Sequence, residues 1–270
     1  MNTQGKHCLI YVLLFLLLVS CERSNIDITP LSSITKPERE TVGNYLKLYI
    51  YSQVELYPVF QISGKKAEAY WYLQTLYNQV TNKMRLDNNA PDNNKWTEGR
   101  TWTVNILDSK GEVAFVIPGG DLFISKNLLK KITSEYQLYY LMAMEATLMN
   151  DMHLLKQLVT EYSAQPFIEF SRKPNLDSDW LNPLLSTIQF EPYSVDALFE
   201  AHQSALNLIC ESSIFDPTGL EGLIAEISFS SQWLSSRPLQ GFQSLGIANE
   251  ACGDFRSNGN YRQYVIDNLD

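Results

Sequence analysis

The run YYLMAMEATLMNDMHLL, residues 139–155, constrains this chain more than any other stretch. Leu138, Leu141, Met142, Leu148 and Met152 recur at helical spacing, and the other positions are scarcely more polar, which describes a helix covered on most of its circumference. Ser134-Glu135-Tyr136-Gln137 just upstream fits a capping box that would start it. A central buried helix needs several other elements around it. It also carries one carboxyl group, Glu145, among Met and Leu side chains. Such a group is costly to bury, so it must find a hydrogen-bond partner, face a residual cleft or bind a proton.

With 270 residues, 45% of them hydrophobic, the chain can build one sizeable core or two small ones, and one domain is expected. Pro37 is expected at the first position of a helix that runs on through ERETVGNYLKLYIYSQVELY. A second helix fits KKAEAYWYLQTLYNQVTNKMRL, residues 65–86, and DNNAPDNNKWTEGR after it reads as a loop. TWTVNIL, VAFVI and LFIS have strand composition, and Pro118-Gly119-Gly120 between the last two provides a tight turn. Residues 161–193 hold four prolines and scattered aromatics, as expected of short helical pieces. SVDALFEAHQSALNLICE, residues 194–211, is a further helix opened by Ser194, and DPTGLEGLIAEISFSSQWL another, while the tail from Arg237 is weakly patterned. The fold class is therefore α+β, mostly helical with a small β-sheet.

The N-terminus has a different character. Lys6 precedes CLIYVLLFLLLVS, an apolar run too short for a comfortable membrane span of ~20 residues, in the layout of a secretory signal peptide. It ends in Leu18-Val19-Ser20-Cys21, which resembles the bacterial lipobox. That resemblance implies cleavage before Cys21, lipidation of Cys21 and attachment to a membrane of the cell envelope, with the outer membrane favoured over the inner. The expected organisation is a signal peptide at 1–20, a lipidated cysteine and tether at 21–36, and a folded domain at 37–270. Removing residues 1–20 takes away Lys6 and no acid, which leaves 20 basic against 30 acidic residues. A balance this acidic, with no Lys/Arg cluster, excludes nucleic acid as a natural partner. Export to an oxidising compartment permits a disulfide between Cys210 and Cys252; the alternative is a buried Cys210 on an apolar helix face and an unrelated Cys252.

The order VNILDSKGEVAFVIPGGDLFISKNLL, a helix, YSVDALFEAHQSALNLI, FDPTGLEGLIAEI and WLSSRPL resembles the HtpX-type gluzincin metallopeptidases, metallopeptidase family 48, over roughly residues 37–245. The most specific part is Ala114-Phe115-Val116-Ile117-Pro118-Gly119-Gly120, one helix ahead of Ala143-Met144-Glu145. The resemblance implies a metallopeptidase-like domain with the small sheet over the former active-site helix. Chemistry in that family needs H-E-x-x-H, since histidines four apart reach one zinc and the glutamate between them activates its water. A third ligand comes from a later helix. Here the three ligand positions are Met144, Leu148 and Leu198. Glu145 keeps the general-base position, and Arg237-Pro238 replaces a late His-Pro pair. The expected domain therefore has no confident catalytic residue, no metal and no cofactor, and works by binding a peptide or protein of the cell envelope. The candidate surface is the sheet edge formed by Val113, Ala114, Phe115, Val116 and Ile117. The alternative is a divergent zinc-dependent peptidase rearranged around Glu145, Glu200 and His202. His153 reads as a residue near the end of the central helix, where the dipole would favour its charge.

Overall fold

The computed structural model describes residues 31–60, 62–86, 102–132, 135–212 and 261–269. They form an α+β structure, mostly helical, with one three-stranded sheet. Folding begins upstream of residue 37. A 3-10 turn spans Leu31–Ser33, Ile34 is buried, and Thr35 caps helix α1 (Lys36–Ser52), exchanging bonds with Glu38 in a capping box. Pro37 thus stands second in the helix rather than first, where its missing N–H costs nothing. Helix α2 (Lys66–Leu86) follows.

Strands β1 (Val104–Leu107), β2 (Ala114–Val116) and β3 (Leu122–Ser125) order as β1-β3-β2, with β1 parallel and β2 antiparallel to β3. The β2–β3 turn uses both glycines at positive φ, 97° at Gly119 and 91° at Gly120. A Cβ on Gly120 would lie 2.1 Å from the Trp102 indole. One on Gly43 would lie 1.5 Å from the Pro118 carbonyl oxygen, so α1 rests its bare backbone on this turn. The sheet and α1 are locked together there.

Helix α3 (Lys126–Lys131) leads to the central helix α4 (Glu135–Asn150). Every residue of α4 from Gln137 to Met149 is buried, packed by α2, β2, β3, α5 (His153–Tyr162) and α8 (Val195–Ser212). The apolar run does not continue as one helix through residue 155. After Asn150 the chain turns through Met152, which adopts a left-handed φ of 63°, and α5 begins at His153. The αL conformation costs roughly 1–2 kcal/mol for a residue with a Cβ. Met152 is 7% exposed, and burial of its side chain offsets that cost. Between α5 and α8 lie α6 (Gln165–Arg172) and α7 (Leu181–Phe190), the expected short pieces. Ser194 opens α8 by accepting from the Ala197 N–H. The weakly patterned tail contributes α9 (Tyr261–Tyr264) and a 3-10 turn at Ile266–Asn268, with Tyr264 stacked on Tyr72 of α2. Among the described residues no helix is long and apolar enough to cross a membrane.

Candidate functional site

Two regions compete: the α4–α8 contact, where the resemblance puts the chemistry, and an open cleft on the far edge of the sheet. Met144 and Leu148 are 0% exposed, and Leu198 is 2% exposed. Thioether and hydrocarbon groups offer zinc none of the nitrogen, oxygen or thiolate donors it takes. The zinc implied by the resemblance does not fit these residues, so no reaction step runs through it. Glu145 is 0% exposed and its Oε2 accepts the Val116 backbone N–H at 3.3 Å.

Glu200 and His202 do not join Glu145. They stand two apart on α8, about 200° around a helix, so they face different neighbours. His202 is buried and its Nδ1 meets the Tyr140 hydroxyl of α4 in a short hydrogen bond, with the two rings edge to face. Burial pushes the His202 pKa down to about 4. Glu200 points outward, and its Oε2 lies 3.0 Å from Nε2 of His153. His153 opens α5 instead of ending α4, so the helix dipole there opposes a positive ring. Desolvation lowers its pKa first, and Lys156 adds to that, while Glu200 and Asp151 act the other way. Among the described residues no three His, Cys, Asp or Glu side chains come together in a way that could hold a metal ion.

The sheet edge at β2 is covered. In an antiparallel pair alternate residues turn their N–H and C=O outward, and Val116 is one that turns away from β3. Its N–H goes to Glu145, and α4 and α7 pack against the strand. Ala114 to Ile117 are all buried and Val113 is half-buried, its N–H donated to Ser125 Oγ at 3.0 Å. An incoming peptide at Val113–Ile117 would have to displace a helix.

Beside the opposite edge, whose outward backbone groups are met by Phe60, Tyr70 and Gln74, lies a cleft. The end of α1, residues Val54, Val59, Phe60 and Ile62, the start of α2 and β1 border this cleft of about 970 Å³. Its rim is apolar and solvent-facing: Val54 is 63% exposed, and Ile62 and Trp71 are each 65% exposed. Its floor is a polar network. Lys47 Nζ lies 3.3 Å from Asp121 Oδ2 and donates to Thr103 Oγ1 at 2.8 Å, and Thr103 Oγ1 donates to Asp121 Oδ1 at 2.7 Å. The Tyr51 hydroxyl donates to Asn105 Oδ1 at 2.6 Å. Burial, and then the charge of Asp121, raises the Tyr51 pKa, so the phenol remains a donor at neutral pH. An apolar concavity with a few fixed polar groups is the usual form of a binding site.

The sequence reading did not find this cleft. The available signal was Trp71 on the solvent face of an amphipathic helix, beside Ala67 and Glu68, while its neighbours Tyr70 and Tyr72 turn inward. Cys21, Cys252, Arg237, Pro238, the capping residue Ser134 and the DPTGLEG segment lie outside the described residues, as does the Cys210 side chain. No protein family and no curated protein matches this chain.

Proposed function

We propose that this protein is an exported, lipid-anchored binding protein of the bacterial cell envelope, held to a membrane through Cys21, whose domain resembles a gluzincin metallopeptidase without its zinc. It binds a peptide or protein partner and does not hydrolyse it. The observation that carries this reading is the contrast between the two regions. The residues at the family's ligand positions are packed apolar side chains in the core, whereas the solvent-facing apolar side chains Val54, Ile62 and Trp71 line the β1 cleft. Contiguous exposed apolar surface with a polar floor marks an interaction site. The binding surface is accordingly placed at this cleft and not at Val113–Ile117.

The test uses a chemically unfolded protein as probe, incubated with the mature chain and scored both for binding and for cleavage. Binding without cleavage is expected, weakened by Trp71→Ala or Val54→Glu on the rim. Cleavage that is lost on chelation or in Glu145→Gln would overturn the proposal in favour of the hydrolase.

A further inference from the structure

The outer edge of β1 is the start of a fourth strand that stops. Thr103 and its alternates turn toward β3, as the Leu122 N–H to Thr103 carbonyl bond of 2.8 Å shows, so residues 102, 104 and 106 present their backbone groups outward. Segment 58–60 occupies one end of that edge. Phe60 N–H donates to the Ile106 carbonyl at 2.9 Å, and Val59 pairs antiparallel with Leu107. One rung further the direct bond is missing. The Tyr70 hydroxyl sits between the strands, accepting from Ile106 N–H at 3.3 Å and donating to the Phe60 carbonyl at 2.7 Å. The chain then leaves through Gly64, at φ 54°, into α2.

At the next rung a side chain stands in for backbone. Gln74 Oε1 accepts the Val104 N–H at 3.0 Å and Gln74 Nε2 donates to the Trp102 carbonyl at 2.8 Å. A primary amide offers one acceptor and a donor, the same two functions that a neighbouring strand offers this edge. Thr103, Val104 and Gln74 all line the cleft, so the substituted rung borders the open cavity.

We propose that the partner of the cleft is an extended polypeptide segment that adds to the outer edge of β1 in place of the Gln74 amide, with an acidic group seated beside Lys66. This deepens the proposed function and rests on the cleft being the binding surface. The exchange loses no backbone hydrogen bond, since the peptide supplies an N–H to Trp102 and a C=O to Val104 while the Gln74 amide passes to water. It requires the turn of α2 that carries Tyr70 and Gln74 to draw back from β1, where it leaves Trp102 and Val104 only 2% and 4% exposed. Side chains alternating along such a strand meet Val54, Ile62 and Trp71 on the rim. The charge preference follows from the lining. Lys47 is its one charged side chain and is already joined to the buried Asp121, while Lys66 stands just outside the lining, its Nζ 4.4 Å over the ring of Phe60, which is part of it, with no acidic partner among the described residues. Lys66 is thus the cation left for an acidic group at the Phe60 end of the cleft.

The experiment selects binders from a displayed library of random heptapeptides against the mature chain and resynthesises the best with each backbone nitrogen methylated in turn. Methylation at one or two positions should weaken binding at least about tenfold, Gln74→Ala should strengthen it by removing the competing amide, and Lys66→Ala should weaken acidic binders. In the unaltered chain, hydrogen exchange across residues 102–106 should slow on binding, which does not depend on how a variant folds. Binders that need Trp71 but ignore every methylation and leave exchange at 102–106 unchanged would overturn strand addition and leave the binding role standing. A library that yields no binder, or only binders indifferent to Trp71→Ala, would overturn both.

Discussion

Removing the Glu145 carboxyl should destabilise the protein. Its Oε2 accepts the Val116 N–H at 3.3 Å with both residues 0% exposed, so Glu145→Ala leaves a buried donor unsatisfied, at about 1–3 kcal/mol, and opens a void by removing the four heavy atoms beyond Cβ in a sealed region. The void adds on the order of 1 kcal/mol or more. The sum is about 2–4 kcal/mol, and for a domain of this size each kcal/mol moves the melting temperature by roughly 2–4 °C, so a fall of about 4–16 °C is expected. Glu145→Gln keeps shape and acceptor and should lose less than half as much. Differential scanning calorimetry of the three proteins at neutral pH gives the comparison. An inherited catalytic acid facing a cleft would behave in the opposite way, because active-site groups tend to cost stability. Glu145→Ala at or above the parent melting temperature would refute the structural role assigned to this residue.

Gly43→Ala should cost at least about 3 kcal/mol in denaturant unfolding, because its Cβ would meet the Pro118 carbonyl at 1.5 Å and the helix-propensity gain of about 1 kcal/mol cannot offset backbone movement. His202, with its pKa lowered to about 4 by burial, binds fewer protons folded than unfolded between its ordinary value near 6.5 and 4. Its contribution to stability is therefore complete above about 6.5 and lost as pH falls toward 4. Glu135 moves the opposite way, raised by burial to about 7, so the informative quantity is the difference between parent and His202→Gln. That difference should shift in favour of the variant on acidification, and pH-independent unfolding differences would contradict it. Cys21→Ser should abolish labelling by radioactive fatty acid and leave an unprocessed or soluble form; unchanged membrane attachment after signal removal would count against lipidation.

Much of the scaffold was legible because period and punctuation carried it. Helical spacing predicts the second helix over 65–86 and it runs Lys66–Leu86, and the Pro118-Gly119-Gly120 turn sits between its two strands, since glycine readily adopts those φ values. The break at Met152 was not legible, as methionine carries no mark of a left-handed conformation and Asn150-Asp151 are compatible with a helix surface. That break reverses the expected place of His153 in its helix. The parallel β1–β3 pairing and the partners of Glu145 and His202 are separated by 18, 29 and 62 residues in the chain. One-dimensional periodicity says nothing about contacts at that range. The cleft was missed for a related reason. Two of its lining residues, Lys47 and Thr103, are joined to the buried Asp121 beneath them, a meeting that is a property of the assembled sheet.

Metal content tests the central claim most directly. Elemental analysis of the purified mature chain, after equilibration with zinc and removal of the excess, should find no stoichiometric zinc, and the melting temperature should be the same with and without the metal, because Met144, Leu148 and Leu198 offer it no ligand. One zinc per chain, lost in Glu200→Ala or His202→Ala, would contradict the account and favour a rearranged metal site in its place.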